Sequence, residues 1–360
     1  MIPDQVEVVI GVDTHLQTHT AAVVAVATGV QLGEAVTITT DPAGYTRLMD
    51  LIAVHAPDPA RRAWAIEGTG SYGKGLTSHL QASGEWVGEL DRATRAARTA
   101  PGQHRRAGKS DHLDALRAAK DALSRTHLAR PKTGAERDAL QILTTVRAAA
   151  VTATTDAINQ LRALILTTAE PVRAQLGPQP ARRKIPALLA TIPTLTPTPG
   201  QITEHVAVTA LQSLANRIRH LRAETTSLER QMRALITAWR PDLLAVFGVG
   251  TIVAATVLTA WSHPGRCRND AAFAALAGTN PLPASSGKTV RHRLNHGGNR
   301  ALNAALHVTI VTRMRHDPTT RAYIERRRAQ NKTDREIRRC LKRYLARQLY
   351  RLLENPSPGT

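Results

Sequence analysis

Four carboxylates stand out because of where a fold would have to put them. Asp111 and Asp114 lie three positions apart in Gly108-Lys109-Ser110-Asp111-His112-Leu113-Asp114-Ala115, at the start of an apolar-periodic run that Ser110 can cap. That spacing puts both on one face of a helix's first turn, with Cβ atoms ~5–6 Å apart, a gap that suits a metal ion. The positive end of a helix dipole attracts the same two residues, and for this pair taken alone that plainer reading is the better one. Asp13 ends the apolar, β-branched run from Val6 to Val12, and Glu67 ends the short buried run from Ala63 to Ile66. Each emerges at the edge of a core, where a carboxylate needs a partner. Two acids at strand ends and two on a helix's first turn make a set that could hold two divalent cations ~3.5–4 Å apart for in-line phosphodiester chemistry. Hard oxygen ligands favour Mg²⁺ or Mn²⁺ over zinc.

The charge around these acids points the same way. Six arginines and lysines, among them Arg105, Arg106 and Lys109, and no acid lie between Arg92 and Lys109. A cationic loop of this kind suits a phosphate backbone better than a neutral metabolite. The whole chain of 360 residues carries 48 Lys and Arg against 28 Asp and Glu, a net charge of +20, with an ordinary hydrophobic share of 42%. A folded chain that basic most often has a polyanion for a partner. Half of the excess lies between Arg313 and Arg351, where 14 Lys and Arg face 4 Asp and Glu. Aromatics make up only 3% of the chain, so stacking of bases on an aromatic platform is not the expected main binding mode.

The elements that must position the acids follow from periodicity. Val6 to Val12, His19 to Ala27 and Glu34 to Thr40 read as three strands, Asp41 to His55 as a helix, Ala63 to Ile66 as a strand, Tyr72 to Ala82 as a helix and Trp86 to Leu90 as a strand. This is a mixed α/β sheet, with Asp13 and Glu67 at the edge where open α/β sheets place ligand sites. Arg130-Pro131-Lys132-Thr133-Gly134 breaks the pattern. Beyond it, Leu140 to Ile165 and Leu211 to Leu235 mark two long helices, with the Pro-, Arg- and Thr-rich segment from Pro171 to Gly200 expected as the irregular tip of an antiparallel hairpin. A lever or dimerisation arm and a plain helical bundle fit that pattern equally well. The chain is then mostly helical, through Ile252 to Ala260, Asn269 to Ala277, Asn299 to Arg315 and a basic run from Thr320 to Leu353; Pro281 to Lys288 cannot be helical throughout.

Leu243 to Trp261 is uncharged for 19 residues, but Gly248, Gly250, Thr251, Thr256 and Thr259 dilute it, and Gly248-Val249-Gly250 reads as a turn between buried helices rather than part of a membrane span. With no basic n-region or apolar h-region at Met-Ile-Pro-Asp-Gln, no lipidation signal, and Cys267 and Cys340 as the only cysteines, a cytoplasmic, nucleoid-associated protein without a membrane partner is expected.

Three stretches carry a resemblance. Gly11-Val12-Asp13-Thr14-His15, then Glu67-Gly68-Thr69-Gly70-Ser71-Tyr72-Gly73, then Gly108 to Ala115 resemble the three blocks of the RuvC-like domain of DEDD-type insertion-sequence transposases, the bacterial insertion-sequence one-ten family. Phe273 to Gly278 and Pro281 to Asn299, with Ser285-Ser286-Gly287-Lys288 and His292-Arg293-Leu294, resemble that family's second conserved domain. Order and spacing agree at both ends of the chain. Leu16-Gln17 stands where a charged pair is common in relatives, and Asp91 where Asn is frequent; neither touches the four acids.

The resemblance implies an N-terminal RuvC/RNase H-like α/β domain over residues 1–128, a central antiparallel helical coiled coil over 129–240 and a mainly α transposase domain over 241–360. It implies a DNA recombinase that splits its active site between two domains. Asp13, Glu67, Asp111 and Asp114 would bind Mg²⁺ or Mn²⁺, and Ser286 would attack a DNA phosphate to give a phosphoserine link, which conserves bond energy for rejoining. From its own neighbours Ser286 reads as a turn residue in a Ser-Gly pair; the resemblance reverses that, with Ser285 as runner-up. The partners so implied are donor and target DNA and a structured guide RNA whose base pairing supplies specificity, in a homodimer or homotetramer. Lys288, Arg291, Arg293 and Arg300 join Arg105, Arg106 and Lys109 as expected nucleic-acid contacts. The Phe247 to Thr251 turn could offer backbone N–H groups to a phosphate, though helix packing explains its glycines equally well.

Three rivals remain. A metal-dependent nuclease or junction resolvase of the same fold would use water as nucleophile. A sugar-kinase-like ATPase would share the Val8 to Asp13 loop but lacks a second glycine-rich loop here. A non-catalytic DNA-binding protein explains the charge and leaves the four acids without a role.

Overall fold

The uninterrupted run Val8-Val9-Ile10-Gly11-Val12 has no polar face to turn to water, so it can only be a strand covered on both sides. In the computed structural model, which describes residues 2–90, 110–283, 292, 293, 295 and 297–355, all five residues are buried. They belong to β1 (Val8–Thr14). It pairs antiparallel with β2 (Thr18–Ala25), which pairs antiparallel with β3 (Gln31–Thr39). The chain continues through α1 (Pro42–Ala53), β4 (Arg62–Glu67), α2 (Lys74–Ala82), β5 (Trp86–Leu90) and α3 (Asp111–Ser124). The sheet order is β3-β2-β1-β4-β5, with β4 parallel to β1 and β5 parallel to β4.

Side chains alternate across this sheet, and the two parities meet different layers. Val8, Ile10 and Val12 share a core with Trp64 and Ile66 of β4, Leu48 and Ile52 of α1 and Leu76 and Leu80 of α2. Val9, Ala63 and Ala65 pack instead with Ala118, Ala119 and Ala122 of α3. The strand boundaries differ from those expected in one way that matters. β1 starts at Val8 rather than Val6 and carries on past Val12, because Asp13 and Thr14 still pair with Thr20 and His19 of β2.

One buried ion pair ties this sheet together. The Arg62 Nη2 donates to Glu85 Oε1 at 2.5 Å, and Trp64 Nε1 donates to Glu85 Oε2 at 2.8 Å, with the Glu85 side chain fully buried. Burial pushes the Glu85 carboxyl up, and the bonds from Trp64 and Arg62 pull it back. Removing one member of such a pair leaves the other charge stranded. Glu85→Ala is therefore expected to destabilise this unit by ~3–5 kcal/mol, read as a fall in its urea midpoint.

The chain divides after Thr133 into a second compact unit. Its first long helices, α4 (Ala135–Thr167) and α7 (Ile202–Trp239), pack along each other. Arg147 of α4 donates to Glu229 of α7 at 2.7 Å, while Leu161 and Ile165 share a core with Leu211 and Ala215, so the two run antiparallel. The connection between them is not the irregular tip expected from its prolines. It holds α5 (Glu170–Gln175) and α6 (Ile185–Thr191), and buries Val172, Leu176, Ile185, Leu188 and Ile192 against α4 and α7. Pro171 and Pro186 sit in the first turns of these short helices, where a missing N–H costs nothing.

α8 (Pro241–Ala245), α9 (Thr251–Trp261), α10 (Asp270–Leu276), α11 (Arg300–His316), α12 (Pro318–Ala329) and α13 (Asp334–Glu354) complete the unit. The uncharged stretch from Leu243 ends in α9, whose residues from Val257 to Trp261 are all buried in a core with Phe273, Leu306, Leu345 and Leu349. Among the described residues no helix is long and apolar enough to cross a membrane. The basic run from Thr320 is two helices rather than one. Asn331 takes a left-handed φ of 58° after α12, and Thr333 with Glu336 forms a capping box that starts α13. A two-stranded pair, β6 (Leu282–Pro283) with β7 (His292–Arg293), links the two ends of segment 284–291.

Candidate metal centre

Gly11 sets the geometry of the site. A Cβ on Gly11 would lie 2.1 Å from the Ala115 carbonyl oxygen and 2.3 Å from the Ala119 nitrogen, so the backbone of α3 rests directly on β1. Only a strand with no side chain there and a helix faced with Ala115, Ala118, Ala119 and Ala122 can approach so closely. Ser110 caps α3, its hydroxyl accepting from the Leu113 N–H at 3.4 Å, and Asp111 and Asp114 occupy the first turn. Asp13 lies two residues beyond Gly11 and so on the same face of β1, beneath that first turn.

Three ligand-type side chains meet there. His15 Nε2 is 3.1 Å from Asp13 Oδ2 and 3.3 Å from Asp111 Oδ1. One ligand atom from each of Asp13, His15 and Asp111 lies within 4.8 Å of the other two. His15, quoted from the sequence only as part of a motif, is the member that reasoning from acids overlooked. Its signal was the parity it shares with Gly11 and Asp13.

The other two expected acids are not members of this three-residue group. Glu67 ends β4, one residue past the Val12–Ile66 pairing that sets it beside Asp13, and on the parity of Ala63 and Ala65, which face α3. The Thr14 hydroxyl donates to the Glu67 carbonyl at 3.0 Å and ties the two strand ends together. Gly68, at φ 66°, then turns the chain away. The Asp114 carboxylate accepts from Arg117 Nη1 at 2.9 Å on the same helix, because residues three apart are neighbours on a helix surface.

A second histidine nearby has a different role. His19, opposite Thr14, is fully buried on the other face and stacks on Tyr45 with ring centroids 6.0 Å apart. Burial lowers its pKa, which keeps the ring neutral in the core.

Lys109, Arg105 and Arg106, and Ser285, Ser286, Lys288 and Arg291, lie outside the described residues. Arg293 is exposed on β7, and Arg300 is exposed in the first turn of α11, which Asn299 caps. Part of the C-terminal charge is neutralised within the unit. Asp270 accepts from Arg343 and Arg347 at 2.9 and 2.8 Å, and these two guanidiniums, Arg347 first, hold its carboxyl below the usual range. Arg240 is buried and bonded to Asp242 and to the last carbonyls of α13. Arg321, Arg326, Lys332, Arg335 and Arg351 are exposed. An open groove of 460 Å³ beside α13 is lined by Val246, Tyr344, Arg347, Gln348, Arg351 and Asn355, and one of 400 Å³ shares Arg347 and Arg351 and adds Arg268.

Comparison with known proteins covers both ends of the chain. Residues 10–170 match the family model of the DEDD transposases of the IS110 type, described as a transposase. Residues 241–325 match the model described as the transposase IS116/IS110/IS902 family. A stretch of 124 residues is 33% identical to the insertion element IS110 uncharacterized 43.6 kDa protein of Streptomyces coelicolor, a match spanning 34% of this chain and 31% of that protein. With the first match spanning the strands and helix that carry Asp13, Glu67, Asp111 and Asp114, and the second following in the helical unit, the chain belongs to the DEDD-type IS110 family of transposases.

Proposed function

We propose that this chain is the recombinase of an insertion sequence, cutting and rejoining donor and target DNA through a divalent-metal centre and a serine nucleophile. The observation that carries the metal half is the meeting of Asp13, His15 and Asp111 where α3 crosses the end of β1. The family matches at both ends support the DNA half.

The donor set fits a hard divalent ion, Mg²⁺ or Mn²⁺. Oxygens of two carboxylates lie within 4.8 Å of one another and of the His15 ring, and Glu67 stands at the same sheet edge to contribute further oxygen. Asp114, paired with Arg117 here, would have to give up that partner to join the set. Bound there, such an ion would supply positive charge to the phosphate under attack and to the attacking hydroxyl. Ser286 Oγ bonds to phosphorus, the bond from phosphorus to a deoxyribose oxygen breaks, and that oxygen takes up a proton; the reverse attack by a different strand's oxygen rejoins the DNA and restores the serine. A structured RNA pairing with donor and target would choose the site. Arg293, Arg300 and the outward face of α13 would contact the sugar-phosphate backbone, and a homodimer or homotetramer would hold the two DNA ends.

The test is a denaturing gel of end-labelled donor and target DNA incubated with protein, flanking-element RNA and Mg²⁺. Wild type is expected to give a protease-sensitive adduct that Ser286→Ala abolishes and Ser285→Ala retains. Nicked DNA without any adduct would replace the serine recombinase by a hydrolytic nuclease of the same fold.

A further inference from the structure

We propose that His15 is a nitrogen ligand of the divalent centre, so that one ion is held by a mixed Asp13–His15–Asp111 set and Mn²⁺ is preferred to Mg²⁺. This rests on the metal reading above and departs from a centre made of carboxylates alone.

The distances fit coordination. Ligands adjacent about an octahedral ion at ~2.1 Å are ~3 Å apart. The two contacts of His15 Nε2, 3.1 Å to Asp13 Oδ2 and 3.3 Å to Asp111 Oδ1, are close to that edge. All three atoms therefore suit a common centre with little rearrangement. The oxygens come from two different elements, β1 and α3, and the nitrogen faces both.

The backbone holds the ring there. The His15 N–H donates to the Thr18 carbonyl at 3.0 Å and closes the tight turn between β1 and β2. His15 thus follows directly on β1, one residue past Thr14, at the end of the strand that α3 covers. At 42% exposure its side chain leaves room for water and substrate oxygens to complete a coordination shell. Leu16, next in the turn, is 71% exposed and does not close over the site. His19 cannot substitute, being buried on the opposite face.

Ligand chemistry then decides the preference. Mg²⁺ favours an all-oxygen octahedron, whereas imidazole raises affinity along the transition series, beginning with Mn²⁺. One nitrogen among oxygens is the smallest change that produces such a bias. A hydrogen-bonded bridge between the two carboxylates would show the same 3.1 and 3.3 Å contacts with no ion, so the test must detect the metal–nitrogen bond itself.

Pulsed electron paramagnetic resonance on the full-length protein loaded with Mn²⁺ reads that bond through ¹⁴N modulation of the spin echo. Wild type is expected to show the modulation, and His15→Asn to lose it while its two carboxylates still bind Mn²⁺, more weakly and with its advantage over Mg²⁺ in competition reduced. Circular dichroism and unfolding of His15→Asn should match wild type, since the side chain is largely outside the core. Bound Mn²⁺ without ¹⁴N modulation, or modulation that persists in His15→Asn, overturns the role of His15 and leaves a carboxylate centre standing. Failure of wild type to bind Mn²⁺ would overturn the metal centre as well.

Discussion

Asp13→Ala is expected to abolish strand cleavage in Mg²⁺ while leaving the protein folded. Asp13 is the fixed point of the candidate centre: its backbone is locked into β1 opposite Thr20, and its side chain, 18% exposed, faces the first turn of α3 and the His15 ring. Removing it leaves two ligands, His15 and Asp111, on segments that no longer share a third. Partners one shell further out from a metal are already worth ~10–100-fold, so loss of a direct ligand should cost ~10³-fold or more. Stability should change little, because the carboxylate's one bond within this group is to a half-exposed imidazole. Asp111→Ala and Asp114→Ala are expected to fail in the same way. Cleavage at wild-type rate by Asp13→Ala would sink the metal centre, and cleavage at wild-type rate by Asp114→Ala would leave that residue as the partner of Arg117 alone.

Gly11→Ala should be the most damaging single methyl in the N-terminal unit. Its Cβ would meet α3 backbone atoms at 2.1 and 2.3 Å, where ordinary contact begins near 3.4 Å. Neither a carbonyl oxygen nor an amide nitrogen in mid-helix can step aside, so the whole of α3 must retreat by about 1 Å. That opens the thin layer that Ala115, Ala118, Ala119 and Ala122 make with Val9, Ala63 and Ala65. The expected loss is about 3 kcal/mol, the upper part of the range for overpacked cores. Asp111 moves with the helix and away from Asp13 and His15. A misplacement of 1 Å at a reacting centre costs ~10²-fold, so cleavage and Mn²⁺ affinity should fall even in the folded fraction. Gly70→Ala is the control, since a Cβ there meets nothing within 4 Å. If Gly11→Ala unfolds and cleaves like wild type, α3 does not rest on β1 as described.

Much of the framework follows from local pattern. The β-branched run of β1 has to be a central strand, and it is; Ser110 caps the helix that begins at Asp111; the two long apolar-periodic runs become α4 and α7. Each of these depends on neighbours within a few turns, and so periodicity suffices. The misreadings share one cause. Proline between Pro171 and Gly200 signals broken chain only until Val172, Leu188 and Ile192 find α4 and α7 to pack on, after which the same prolines serve as first-turn residues. The basic run from Thr320 looks continuous because charge spacing says nothing of the left-handed Asn331 or the cap at Thr333.

The candidate centre divides along the same line. Sequence alone determined which carboxylates exist, that Asp13 and Glu67 stand at strand ends and that Asp111 and Asp114 share a helix turn. Which of them meet was decided by tertiary structure, through two quantities absent from any local window: the near-contact of α3 with Gly11 and the parity of each residue across the sheet. Those place Asp111 over Asp13 and bring in His15. The contact of His15 with Asp111 joins segments about a hundred residues apart, whereas a residue's own helix or strand depends on the next four.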